Sequence, residues 1–202
     1  MGYYIRVLGT ELDAPTVDQM RQAALPALIE STEGSEDVWT ELVLKHASGE
    51  AIALIERNQT DEGLGAEELA EFVEEVEACK PANAAQWLKA YLPKVRVIYA
   101  FQILSGTEIG DGWERLHAVH EYVWNRAKGV LQSDGEGFSN ENGYTILWQF
   151  SDNVSGNWNV AVLGNSDTWT SFEMDLGDFA QREAFQRGEI PSGVKIAREM
   201  SS

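Results

Sequence analysis

The chain has 202 residues, 44% hydrophobic and 24% charged, with 15 basic against 33 acidic side chains and a formal net charge of −18. That length and mixture suit a globular chain of one large or two small domains rather than a disordered one. A field of this sign repels nucleic-acid phosphates and anionic lipid heads; the lone cysteine, Cys79, excludes an internal disulfide and a multi-cysteine zinc centre, and no apolar run approaches the roughly 20 residues that span a bilayer.

Tyr3–Leu8 reads as a strand closed by Gly9. Thr16 or Asp18 caps a predicted helix running to about Ile29, kinked or shortened by Pro26. Residues 30–37 read as an acidic loop. Val38–His46 and Ala51–Glu56 read as a hairpin about Ser48-Gly49, with Trp39, Glu41, Val43 and Lys45 on one side of the first strand. Ala66–Cys79 is the clearest helix: Leu69, Phe72, Val73, Val76 and Cys79 form one stripe, so Cys79 is expected as packing rather than as a nucleophile. Asn83 caps a second helix to Leu92. Val95–Leu104 is an apolar strand, and Trp113–Lys128 a helix ended by Gly129. A strand is expected over 144–150, two more over 158–163 and 169–175 about a turn at 164–167, a helix over 178–186, and an irregular tail.

The expected class is α+β, a mostly antiparallel sheet with helices packed on one side. Strand, helix and hairpin follow one another twice, and Leu8-Gly-Thr-Glu-Leu12 echoes Ser105-Gly-Thr-Glu-Ile109. Two similar halves, 1–93 and 94–202, are therefore expected, with one continuous domain as the alternative.

Leu131–Phe150 is the first candidate site. Asp134, Glu136, Asn140, Glu141 and Asn142 offer oxygen ligands or hydrogen-bonding groups. The spacing is not that of an EF-hand, because the twelfth position counted from Asp134 is Thr145, where a bidentate carboxylate is needed. It is not a phosphate loop either, lacking the Lys and carrying acids. The competing reading is a polar loop that uses Gly and Asn for left-handed turns. Glu114 and His117 make one E-x-x-H spacing, whereas a di-iron centre needs two such helices. At about 100° per residue His120 falls on the Leu116–Val119–Val123 face as a hydrogen-bonded, partly buried side chain, with His117 at its edge. Trp148 and Trp158 belong to an aromatic cluster that is either core or a partner-binding patch. No G-x-S-x-G elbow or other nucleophile signature is present.

No catalytic residue, metal or cofactor is predicted. The leading expectation is an acidic, soluble, cytoplasmic binding protein of immunity type that holds a basic protein partner, with no nucleic acid and no membrane. Residues 30–80 motivate it: 15 acids stand against Lys45, Arg57 and Lys80 there, a net of −12. The alternative is a metal- or small-ligand-binding enzyme with its site between the halves near residues 134–142. A subunit of a larger assembly, with the Trp-rich strands at its interface, is a third reading. The opening of the sequence shows no charged-then-apolar leader, so the sequons at Asn58 and Asn153 are expected to be chance.

Overall fold

The computed structural model describes residues 2–164 and 168–201. The chain forms two compact units, residues 1–68 with 95–129, and residues 69–94 with 130–202. These units interleave along the sequence, unlike the consecutive halves 1–93 and 94–202.

The first unit holds five antiparallel strands in the order β2 (Leu28–Gly34), β3 (Trp39–Lys45), β4 (Ala51–Gln59), β5 (Val97–Ile103), β1 (Tyr3–Gly9). Alternation fixes the faces. One row runs Ile5, Phe101, Ile55, Leu42 across β1, β5, β4 and β3. Helix α4 (Gly112–Ala127) packs on β1, β4 and β5, burying Leu116, Val119 and Val123 as their spacing predicts. Helix α1 (Val17–Ala24) lies beside it. Thr16 caps α1 in a reciprocal box with Gln19. The helix stops at Ala24, before Leu25-Pro26, because a residue preceding proline is driven out of the helical region. The chain then enters β2, where a loop was expected. Only Ile29 of β2 is buried; this edge strand is held through its backbone to β3, which leaves no hydrophobic pattern to read.

Gly129 ends α4 at φ +117°, and a Cβ there would stand 2.0 Å from the Leu8 carbonyl oxygen. The echoed peptides fold differently. Thr10 and Glu11 donate backbone bonds to Lys128 and Ala127, whereas Ser105–Glu108 is a turn of 3-10 helix. Their similarity does not establish a duplication.

Helix α2 (Gly63–Val76) begins in the first unit and ends in the second. The second unit adds α3 (Ala82–Tyr91), the hairpin β6 (Gly129–Ser133) and β7 (Gly137–Ser139), and α5 (Phe179–Gln186). Its other sheet has the order β10 (Ile196–Ser201), β9 (Thr168–Asp175), β8 (Asn157–Leu163). Strand β10 replaces the expected irregular tail, while most of the expected turn at 164–167 lies outside the described residues. Pro81, not Asn83, is the N-cap of α3. Phe150, Val160, Phe172, Met174 and Phe185 centre this unit's core. The architecture is thus α+β with antiparallel strand pairing, and no helix among the described residues is long and apolar enough to cross a membrane.

Candidate functional site

The stretch 131–150 folds as two successive turns rather than as a ligand loop followed by a strand. Asp134 and Glu136 flank Gly135 at the tip of the β6–β7 hairpin. Gly137 follows at φ +115°, and a Cβ there would meet the Leu147 carbonyl oxygen at 2.3 Å. Next, Asn140 builds an Asx turn: its Oδ1 accepts from the Asn142 and Tyr144 amides at 3.0 and 3.1 Å, and its carbonyl accepts from Gly143 at 2.9 Å. Asn140 is 1% exposed, so its ligand-type oxygen is spent on the backbone. Glu141 accepts from the Tyr91 hydroxyl at 2.7 Å. Asn142 is exposed on the turn.

The expected strand over 144–150 is absent. Ile146 and Leu147 are both fully buried, which breaks the alternation a strand needs. Their amides converge on the Phe138 carbonyl, and Trp148 donates its amide to Lys80 at 2.8 Å. Thr145 alone keeps strand pairing, antiparallel to Ser139 and parallel to Val160.

Around Thr145 lies a groove of about 400 Å³, with Glu136, Ser139, Trp158 and Asn159 among its walls. Trp158 donates its indole N–H to Thr145 Oγ1 at 2.9 Å and packs edge-on against Phe150, centroids 5.4 Å apart. Trp148 contacts Phe150 and the guanidinium of Arg182, the latter 5.0 Å from its ring. The aromatic cluster is therefore largely core, and Trp158 is its member that reaches the groove.

Both candidate histidines belong to the first unit, apart from the other seven residues. His117 is exposed and lies 5.9 Å from Trp113. His120 packs its ring edge-on to Phe101 at 5.1 Å. Its Nε2 is sealed from solvent without a partner, where a hydrogen-bonded histidine was expected. Burial, then the neighbouring His117, lowers its pKa to about 4, so the ring is neutral at physiological pH. Cys79 is half-buried, its thiol pushed up by burial. No group of three or more His, Cys, Asp or Glu side chains among the described residues is arranged to hold a metal.

A like-charge pair lies elsewhere, on the sheet of the first unit. Glu41 stands directly opposite Glu56 across β3 and β4. Glu41 accepts from the Thr32 hydroxyl, and neither carboxylate forms an ion pair among the described residues. Glu56 is held above the usual carboxylate range by burial, then by Glu41 and Glu68, with Arg6 opposing. Arg6 itself is bound to Glu68 at 2.6 Å. This pair was legible in principle. The hairpin about Ser48-Gly49 sets the register, and past an irregularity at Leu44/Lys45 it pairs Val43 with Leu54, Leu42 with Ile55 and Glu41 with Glu56.

No family model matches the chain, and neither a curated protein nor a solved structure is found similar to it.

Proposed function

We propose that this is a non-enzymatic, cytosolic binding protein that takes a basic protein partner on the sheet face bearing Glu41 and Glu56, as an immunity protein takes a cationic toxin. The carrying observation is that carboxylate pair. Like charges directly opposite one another on a sheet oppose folding, and neither carboxylate forms an ion pair with a Lys or Arg among the described residues, Glu41 being met only by the Thr32 hydroxyl. A lysine or arginine from a partner would relieve the repulsion, and the net charge of −18 would steer the encounter. Titration of the basic proteins encoded beside its gene tests the reading, at low and at high salt. Binding that weakens with salt and is lost in a Glu41→Gln/Glu56→Gln variant supports it. Equal loss in a Glu114→Gln/Glu121→Gln variant, which has the same net charge, would reduce the effect to bulk acidity and contradict the assigned face.

A second reading, small-ligand binding, rests on the groove around Thr145. Its walls carry hydroxyls, amides and the Trp158 indole but no basic side chain among its lining residues, which favours neutral polar molecules over anions. A thermal-shift screen of neutral polyols and sugars, repeated on Trp158→Phe, is the check. No shift with any of them removes this reading.

A further inference from the structure

Arg57 is the arginine to explain. It is half-buried on β4. Arg6, Arg21, Arg115, Arg126 and Arg187 each bind a carboxylate, and Arg96, which binds none among the described residues, is exposed to solvent whereas Arg57 is not. Arg182 has none but bonds the carbonyls of Asp152, Val154 and Leu176. Arg57 has one such bond, Nη1 to the Trp39 carbonyl at 3.3 Å, with its guanidinium 5.8 Å from the Trp39 ring. A guanidinium presents five donors, so most of its capacity is unused in a chain with more than twice as many acids as bases. Directly across the sheet from it stands Tyr99. That tyrosine is wholly buried, and its hydroxyl has no hydrogen-bond partner. Trp39 packs on it with centroids 5.9 Å apart.

Arg57 and Trp39 line a cleft of about 410 Å³ within the first unit, a size in the range of small-molecule sites. The wall also carries Asp61 and Glu62, neither in an ion pair, and two exposed apolar side chains, Val38 at 64% and Leu64 at 71%. One unpaired cation, two unpaired anions and an apolar flank make a pattern with a chemical meaning. A dianion such as phosphate meets Asp61 and Glu62 unfavourably, and a simple amine leaves Arg57 unpaired. A zwitterion satisfies both. We infer that this cleft binds a free α-amino acid with an apolar side chain, its carboxylate on Arg57, its ammonium at Asp61 and Glu62, and its side chain against Val38 and Leu64. Successive residues of a strand point to opposite faces, so Arg57 and the Glu56 carboxylate are on opposite sides of the sheet. The proposed amino-acid site uses neither Glu41 nor Glu56, so it is tested separately from the protein-binding proposal.

The test is an NMR titration of the isotope-labelled full chain with L-leucine, following the Trp39 indole and the Leu64 amide. Saturable shifts of both signals are expected. Two probes each lack one charge: 4-methylpentanoate has no ammonium, and isoamylamine no carboxylate. Each is expected to bind at least about tenfold more weakly, the loss of about 1.4 kcal/mol. Arg57→Gln should abolish the response. Because Arg57 rests on Trp39, a circular-dichroism melt must show that this variant folds, and Asp61→Asn/Glu62→Gln supplies a second arm that touches no ion pair of the fold. No saturable shift with leucine overturns the inference. So does 4-methylpentanoate binding as tightly as leucine, which would make the cleft an anion site, or isoamylamine doing so. Leucine affinity unchanged in the Asp61/Glu62 variant overturns it as well.

Discussion

The turns of residues 131–150 and the sheet face of the first unit are both rich in polar side chains, yet they use them oppositely. Around Asn140 and Thr145 the acceptor oxygens are consumed by the fold, although the buried Asn140 Nδ2 has no partner. One amide oxygen holds two backbone N–H groups, and one hydroxyl holds an indole. On β3 and β4 two like charges face each other without an ion pair among the described residues, and the buried His120 Nε2 has no hydrogen-bond partner. The contrast teaches that polar composition alone does not mark a site. What marks one is polarity that the protein's own backbone does not satisfy.

The difference should appear as opposite signs on mutation. The largest effect belongs to His120. Its pKa is lowered to about 4 in the folded chain, against about 6.5 for a free histidine. Between those values the unfolded chain takes up a proton that the folded chain refuses, so stability falls as pH falls, by about 3 kcal/mol once below both. Denaturant melts across this range should show the slope, and His120→Leu should flatten its share of it. Asn140→Ala should go the other way from a removable polar group, costing about 1–3 kcal/mol because the Asn142 and Tyr144 amides lose the acceptor that closes the turn. A lowered midpoint in a urea titration checks this. Thr145→Val deprives the Trp158 indole of its acceptor and should cost about 1 kcal/mol, read in the same titration. A neutral or stabilising outcome for either residue would break the comparison. The smallest effect is a gain. Glu56→Gln removes one member of a like-charge pair and should raise the melting temperature at neutral pH. The sign follows from the raised carboxyl pKa: folding favours the protonated form, so ionisation above the usual carboxylate range opposes it, and the gain should vanish in acid.

Much of the fold was legible because burial imprints a period. The α4 face of Leu116, Val119 and Val123, the apolar run of β5 and the strand at β8 all appear where predicted. Strand β2 was not legible, because an edge strand held by its backbone ladder and by polar pairs such as Glu30–Lys45 needs few apolar side chains. The misread strand at 144–150 shows the converse. Consecutive buried residues imitate a strand, although the backbone there turns to reach Phe138 and Lys80. For the sites, the sequence brought Glu136 and Trp158 to one groove, but the histidines belong to the other unit. Glu41 and Glu56 went unnoticed because their meaning lies in register, as Arg57's lies in the absence of a partner.

The central claim is that the like-charge pair Glu41 and Glu56, left without an ion pair among the described residues, serves a cationic partner. Thermal melting and partner titration of the Glu41→Gln/Glu56→Gln protein, side by side with Glu114→Gln/Glu121→Gln, test it most directly. The account predicts a higher melting temperature together with lost binding for the first pair only. A lower melting temperature, or binding that survives, would contradict it.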